Sequence, residues 1–331
     1  MIKIFRLSAL VVFSILWYLG FSGSLAKWLH EKGVTQDDYR YGDLYRMSNI
    51  AKFKALLEQC PVPQNSPAGN TSLIIMGDSF TEKERLEKNH FKGLNSYNRY
   101  FITDTINVTL DTSKRNVLII ETVERHFRER FAKPFTNLQV SEKEIVKQGK
   151  KERTLGEEIV NYAVPYNAER HESILFSSDF FLTFKEWKAW LNWKLFDRLD
   201  EKVMLSKNED YLLYQVDAQP SGINSCFDKI SDEEINLMVK NLNSTYEFYK
   251  NAGFDEVYLS IIPNKTSILG TDLGEYNHLI ERIQKNSALK MSFFDVYTPY
   301  HHSKKVLYEK GDSHWNCEGK QLWLDLVNAK L

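Results

Sequence analysis

The chain is poor in cysteine, with only Cys60, Cys226 and Cys317 among 331 residues. No CxxC motif occurs, and no Cys/His pair has the spacing of metal ligands, so the sequence predicts neither a zinc site nor metal catalysis. No cofactor is expected. An oxidising compartment would allow one disulfide with one cysteine left over, but the sequence does not say which two would pair. Free buried cysteines are the alternative.

An excess of one charge sign is also missing. The chain has 43 Lys+Arg and 44 Asp+Glu residues, a formal net charge of −1, so no global field favours nucleic acid or an anionic membrane surface.

Disordered, collagen-like and low-complexity classes are excluded because 13% of the residues are aromatic and apolar residues are spread throughout. With 43% hydrophobic residues, the chain is long enough for one large domain with insertions, which we favour, or for two small domains.

The N-terminus carries a long uncharged run. Lys3 and Arg6 precede residues 7–26, and about 20 apolar residues can cross a bilayer as a helix. The positive flank predicts a single-pass protein of the cytoplasmic membrane whose remaining chain is extracytoplasmic, on the periplasmic side. A cleaved signal peptide is the alternative, because Ser24-Leu25-Ala26 is a small-x-small site. Residues 1–26 are therefore assigned to a membrane anchor or signal peptide.

Short apolar runs predict buried strands at residues 72–76, 116–120, 257–262 and 292–296. Helical patterns at 232–251 and 275–284 lie between and after the later runs. This alternation predicts an α/β fold with a mostly parallel sheet covered on both faces, whose sites lie at the carboxyl ends of strands. Residues 27–70 are interpreted as a lead-in segment and 71–331 as the catalytic domain, with a large helical insertion at about 126–230.

The first chemical motif is Gly77-Asp78-Ser79, placed where the first predicted strand ends. Serine is a weak nucleophile unless a base activates it and donors stabilise the developing oxyanion. A turn between a strand and a helix exposes the side chain and points backbone N–H groups at one spot. The alternative is a plain turn in which Asp78 caps a helix.

The second motif is Asp312-Ser313-His314, near the C-terminus and just before a predicted helix. A carboxylate two residues before a histidine can fix the tautomer of the imidazole and stabilise its charged form. The alternative is a helix N-terminus capped by Asp312 or Asn316, with His314 exposed. Together with Ser79 the motif completes a triad, and we expect Ser79 Oγ within about 2.6–3.2 Å of a His314 ring nitrogen.

These motifs resemble the SGNH hydrolase superfamily, whose first block is a GDS motif and whose last block places Asp and His close together near the C-terminus. The D-S-H-W sequence at 312–315 is similar to the D-x-H-W form of the DHHW and alginate O-acetylation (AlgX/AlgJ-like) branch, with DltD-like proteins as a more distant alternative. The resemblance covers most of residues 70–331 and implies a flavodoxin-like three-layer sandwich. The oxyanion glycine and GxND asparagine blocks are not recognisable, so donors beyond the Ser79 N–H stay unassigned.

Two further motifs resemble this branch, an E-x-x-E-R pattern ending at Arg125 and a P-x-K pattern ending at Lys265. Both cations could hold an anionic or hydroxyl-rich substrate or add positive potential near the oxyanion. For Arg125 the alternative is an ion pair with Glu121 or Glu124 that supports the loop. The remaining substrate or oxyanion candidates are Gly77, Asp78 and Trp315.

Three tryptophans, Trp187, Trp190 and Trp193, recur every three residues and would lie along one side of a helix. Such a stripe belongs more often to the core, which is the interpretation we favour. Stacking on sugar rings or contact with a membrane partner are the alternatives.

The resemblance implies an extracytoplasmic serine O-acyltransferase that acetylates a cell-surface or secreted polysaccharide through an acyl-enzyme. Relatives commonly work with a multi-spanning MBOAT acyltransferase that supplies the acyl group, and this partner is expected here. A carbohydrate esterase, which uses water as acceptor, is the first alternative. A non-catalytic binding or assembly subunit is the second, although its signature would be a broken triad and all three members are present.

Overall fold

The computed structural model describes residues 2–35, 38–63, 67–141, 172–174 and 176–331. The described chain forms two compact units. The helical unit contains the described residues up to 56 and those between 172 and 199, and the sheet unit contains those of 57–141 and 200–331. Residues 142–171 of the predicted insertion lie outside the described residues.

All strands of the described chain belong to the sheet unit. They are β1 (Thr71–Gly77), β2 (Leu94–Phe101), β3 (Ile106–Val108), β4 (Arg115–Val123), β5 (Leu138–Val140), β6 (Val203–Leu205), β7 (Leu212–Tyr214), β8 (Glu256–Ile262) and β9 (Ser292–Phe294). Five of them form a parallel sheet in the order β2-β1-β4-β8-β9. The pairs β3-β5 and β6-β7 form separate small ladders.

The helices are distributed over both units. They are α1 (Ile2–Phe21), α2 (Gly23–Glu31), α3 (Asp43–Ser48), α4 (Glu124–Arg130), α5 (Asp179–Phe196), α6 (Gln215–Ala218), α7 (Asp232–Asn251), α8 (Lys265–Leu269), α9 (Leu279–Gln284), α10 (Tyr297–His301) and α11 (Cys317–Asn328). Short 3₁₀ turns occur at Asp38–Tyr41, Ala51–Phe53, Ser79–Thr81 and Lys88–His90.

The predicted α/β class with a mostly parallel sheet is confirmed. The four apolar runs correspond to β1, β4, β8 and β9. Strand β2 escaped prediction because its sequence, LNSYNRYF, is polar and it lies at the edge of the sheet. The helix predicted at 275–284 begins only at Leu279, because His278 before it adopts a left-handed conformation with φ 57°.

Helices cover both faces of the sheet, which makes the sheet unit three layers deep. Successive residues of a strand point to opposite faces, so Ile74 and Met76 pack with α7 and α9, whereas Leu73 and Ile75 pack with α11. Both faces bury large apolar side chains, as the uninterrupted apolar runs of the strands require.

Two long helices of these layers begin with side-chain caps. Ser231 accepts a hydrogen bond from the Glu234 N–H at 3.2 Å before α7, and Asn316 accepts one from the Gly319 N–H at 3.0 Å before α11. Such caps satisfy N–H groups that have no partner within the helix. The Asn316 cap, two residues after His314, fixes the position at which α11 begins.

The strand order places a topological switch point between β1 and β4. After β1 the chain continues to β2 on one side, and after β4 it continues to β8 on the other. In open parallel sheets, ligands bind beside such a point at the carboxyl ends of the strands. The Ser79 turn follows β1, and α4 follows β4, so both begin at this edge.

In the helical unit, α5 packs through Leu182 and Glu186, which are buried. Glu186 accepts a hydrogen bond from the Tyr45 hydroxyl at 2.5 Å and pairs with Lys54 at 3.0 Å. Trp187 and Trp190 are 60% and 53% exposed, and Trp193 is half-buried. The favoured core interpretation of the tryptophan stripe is therefore wrong, because α5 turns its Leu182 and Glu186 side inward instead.

The N-terminal run predicted as a membrane anchor, residues 7–26, falls within α1 and α2. Within the described ranges of the chain, none of the helices combines the length and the apolar content that a membrane crossing requires.

Candidate active site

The turn that carries Ser79 depends on the glycine before it. Strand β1 ends at Gly77, and Ser79 is the first residue of a 3₁₀ turn that leaves it partly exposed. A Cβ atom at Gly77 would lie 2.1 Å from Thr81 Oγ1 and 2.7 Å from Glu121 Oε2. Only glycine lets these two side chains close over the end of the strand, so Gly77 shapes the turn.

The three triad candidates meet in the sheet unit. His314 Nε2 lies 2.7 Å from Ser79 Oγ, and His314 Nδ1 lies 2.5 Å from Asp312 Oδ1. The His314 backbone N–H also donates to Asp312 Oδ1, at 2.8 Å. These distances match the spacing expected from the sequence. The exposed-ring alternative for His314 is wrong, because its side chain is almost buried between its two partners.

The charge state of Asp312 sets the hydrogen-bond direction across the triad. Burial alone would raise its pKa, but the charge and hydrogen bond of His314, together with the charge of Arg85, lower the pKa well below the ordinary value. An ionised carboxylate only accepts, so Nδ1 of His314 carries a proton, and in the neutral imidazole Nε2 presents a lone pair. The Ser79 hydroxyl then donates to Nε2, the arrangement that a general base requires.

Aromatic rings hold the imidazole from the side. The Phe80 ring centroid lies 4.7 Å from that of His314 and 5.0 Å from that of Trp315. Trp315 is buried and packs in turn on Trp323 of α11, at 5.5 Å. Its place is therefore in the core behind the histidine, and not in the substrate position that the sequence suggested.

Asp78 lies in an ion pair rather than in a cap. Arg130 of α4 binds both of its carboxylate oxygens, and the Val123 N–H donates to Oδ2 at 3.1 Å. Burial would raise the pKa of Asp78, but Arg130 outweighs this and lowers it. The capping alternative is not observed, because Asp78 makes no side-chain cap bond. The pair ties the end of β1 to the end of β4.

Glu121 supports the same turn from β4. Its Oε2 accepts from the Asp78 N–H at 2.7 Å and from Thr81 Oγ1 at 2.9 Å. Burial and the negative charge of Asp78 raise its pKa to about 8, so this carboxyl group is largely neutral at pH 7. Arg99 of β2 completes the support by donating to the carbonyl oxygens of Gly77 and Asp78, at 3.0 and 2.5 Å.

Arg125 forms an ion pair with Asp217, a residue that was not predicted from the sequence. Its guanidinium donates to both oxygens of Asp217 in α6, at 2.8 and 3.2 Å, and lies over the Tyr214 ring at 5.3 Å. The Asp217 side chain is fully buried. The alternative that Arg125 forms an ion pair was correct, but the partner of Arg125 is Asp217 and not Glu121 or Glu124.

Lys265 supports the loop that carries the acid and the histidine. It is only 2% exposed, and its Nζ donates to the carbonyl oxygens of Glu309, Lys310 and Asp312 at 2.7, 3.2 and 3.0 Å. An ammonium group has three donors, so these bonds use them all. In the described structure Lys265 therefore positions Asp312, and its contact with a substrate or oxyanion stays a prediction.

Glu124 joins α4 to the start of α8. It accepts from the Asn264 N–H at 2.9 Å, from the Tyr276 hydroxyl at 2.7 Å and from the Ser267 hydroxyl. Burial raises its pKa, although these donors act in the opposite direction. Through Asn264 this contact sets the position from which Lys265 reaches the loop.

A disulfide holds the other side of the loop that carries Asp312 and His314. Cys60 and Cys317 form a disulfide, and Cys226 is free and buried, which settles the pairing that the sequence left open. The Glu58 N–H donates to Glu309 Oε1 at 2.9 Å, and Glu58 Oε2 accepts from the Cys317 N–H at 3.1 Å. Residues 58–60 are thus joined to both ends of the segment that contains His314.

The comparisons with known proteins add no relative: no family model, no curated protein and no solved structure matches the chain. The functional assignment therefore depends on the geometry described above and on the sequence motifs.

Proposed function

We propose that the chain is a serine-dependent acyltransferase of the SGNH type, with Ser79 as nucleophile, His314 as base and Asp312 as the orienting acid. The observation that carries the proposal is the continuous Asp312–His314–Ser79 hydrogen-bond chain, which joins residues 235 positions apart in sequence. The strand order supports it, because β2-β1-β4-β8-β9 corresponds to the flavodoxin-like order 2-1-3-4-5.

The chemistry follows from the protonation states. Nε2 of His314 takes the Ser79 proton while Oγ attacks the acyl carbonyl, and the Asp312 carboxylate stabilises the imidazolium that forms. The imidazolium then returns its proton to the leaving group, which leaves an ester on Ser79. An acceptor hydroxyl next gives its proton to Nε2 as its oxygen attacks the ester carbonyl, and the imidazolium returns that proton to Ser79 Oγ as the ester bond to Ser79 breaks. The Ser79 N–H is the donor that we assign to the oxyanion.

The substrate and compartment belong to the same proposal. We assign the chemistry to the extracytoplasmic side of the membrane, with a cell-envelope polysaccharide as acceptor and an MBOAT-type acyltransferase as donor. The Cys60–Cys317 disulfide supports export, because such bonds persist in oxidising compartments and are rare in the cytosol. A reporter fused after residue 331 should therefore behave as an exported protein. Reporter activity that is found only in the cytoplasm contradicts this assignment.

The proposal is tested by trapping the acyl-enzyme. The purified chain is incubated with an activated acetyl ester, the intact protein is weighed, and the labelled peptide is mapped. We expect one acetyl group on Ser79, none in Ser79→Ala, and normal labelling in the control Ser96→Ala, whose hydroxyl contacts Ser72 in the sheet. A label elsewhere refutes the mechanism and favours a binding subunit. Acetate release without an acceptor sugar identifies an esterase.

A further inference from the structure

Helix α5 has two contrasting sides. Polar contacts fix the inward side: Asp179 accepts hydrogen bonds from Arg40 at 3.1 Å and from the Tyr41 hydroxyl at 3.0 Å, and Glu186 is held by Tyr45 and Lys54. Leu182 is the apolar residue that α5 buries among the described residues. A helix of a water-soluble protein normally buries its apolar side, so this orientation is the reverse of the usual one.

The outward side of α5 is an apolar stripe, here defined as Phe180, Phe184, Trp187, Leu191 and Leu195. The spacing of three and four residues places all five on one side of the helix. Each is between 43% and 67% exposed. Ring centroids of Phe180 and Phe184, and of Phe184 and Trp187, lie 5.4 Å apart in edge-to-face contacts, so the aromatic surface is already ordered before it meets a partner.

Basic residues border the stripe. Lys188 and Lys194 lie on its two sides by helical spacing, and Lys194 Nζ lies 3.5 Å from the Trp193 ring centroid. Lysines with apolar stems and charged ends reach from an apolar layer to lipid headgroups. Tryptophan, phenylalanine and lysine in this arrangement are typical of helices that lie in the interfacial plane of a membrane.

A second apolar surface in the same unit points to the same partner. Helix α1 exposes Phe5, Leu10, Phe13 and Trp17, each more than 60% exposed. A sugar ligand or a small protein contact would account for a few aromatic residues, but a lipid surface accounts for both helices. We propose that the apolar stripe of α5 lies flat in the headgroup region of a lipid bilayer, as a membrane contact additional to the N-terminal segment.

The position of the stripe is measured with a fluorophore. An environment-sensitive dye is attached to the full chain through Trp187→Cys or, as the matched control, through Leu237→Cys, an exposed apolar position on α7. Cys226 is buried and the other two cysteines are paired, so labelling is confined to the new thiol. With vesicles of equal parts phosphatidylethanolamine and phosphatidylglycerol, we expect a blue shift and quenching by lipid-attached nitroxide at 187 only.

The energetics are measured with the same dye on vesicle-bound protein, so that any contribution of the N-terminal segment to binding is held constant. Phe184→Glu/Leu191→Glu should shift the equilibrium of the dye at 187 from lipid to water by on the order of 100-fold, because each buried apolar side chain contributes about tenfold or more. Leu237→Glu should leave it unchanged. An unchanged dye signal in the double variant, or a dye at 187 that stays in water on bound vesicles, overturns the proposal. A blue shift at 187 without vesicles that grows with protein concentration would instead assign the stripe to contact between copies, and also overturns it.

Discussion

The two units treat their side chains in opposite ways. The sheet unit buries its large apolar residues on both faces of the sheet, and its exposed ones, such as Phe101, Leu237 and Val306, are scattered. At its carboxyl edge, buried charges meet partners of opposite sign. The helical unit exposes apolar surface along α1 and α5 and uses charged pairs on its inward side. Under the two proposals above, the sheet unit carries the chemistry and the helical unit carries the membrane contact.

The strongest test of this separation is removal of the nucleophile or the base. Ser79→Ala or His314→Ala should each lower acyl transfer by on the order of 10⁶-fold, and the double variant should be scarcely slower, because either change already disables the shared mechanism. Vesicle flotation should stay at the wild-type value. Steady-state transfer rates and flotation of the same preparations check both statements. If these variants no longer float with vesicles, the acyl transfer and the membrane contact are not separated between the two units.

The next effect concerns Asp312, which determines the tautomer of His314. Asp312→Asn should keep the fold but lower transfer by about 10⁴-fold, because an amide can hold the imidazole with its proton on the wrong nitrogen. Rates are compared with those of Asp325→Asn on α11, a carboxylate outside the triad. A ratio near one between the two variants would mean that the Asp312–His314 bond has no role in the chemistry.

A smaller effect is expected for the packing beneath Ser79. Gly77→Ala should lower the free energy of unfolding by about 1–3 kcal/mol, because the new methyl group overlaps Thr81 and Glu121. Urea denaturation measures the change. Adding Thr81→Ala removes the nearest clashing atom and should restore part of the loss. If the double variant is instead less stable by the sum of both single effects, the steric explanation fails.

The smallest effect, counted per pH unit, is a pH dependence from Glu121. Its pKa is raised to about 8 in the folded chain, above the ordinary value of about 4.3 in the unfolded one. The folded state therefore holds a proton that the unfolded state releases, so this contribution is complete below about pH 4.3 and is lost between about pH 4.3 and 8. Wild-type stability should fall relative to Glu121→Gln by up to about 1.4 kcal/mol per pH unit in this window. Urea titrations at several pH values measure it, and parallel curves would contradict the assignment.

The residues of the proposed triad were predictable from the sequence, but the residues that support them were not. Gly77-Asp78-Ser79 and Asp312-x-His314 are short motifs at the ends of recognisable elements, and local sequence marks them. Asp217 and Arg130 bind partners 92 and 52 residues away, and no local pattern records such pairs. Lys265 was found by its motif, but its role in positioning Asp312 was not predicted, because the sequence does not show that its donors meet backbone carbonyls.

The disulfide makes most of the sheet unit a closed loop. Cys60 and Cys317 are 257 positions apart, and Ser79, Asp312 and His314 all lie inside the ring that they close. A protease that cuts any single peptide bond within this ring leaves one covalent molecule of unchanged mass apart from the added water. Nicked and intact protein would therefore separate only in the presence of a reducing agent, and the cut product would still carry every member of the triad on one molecule.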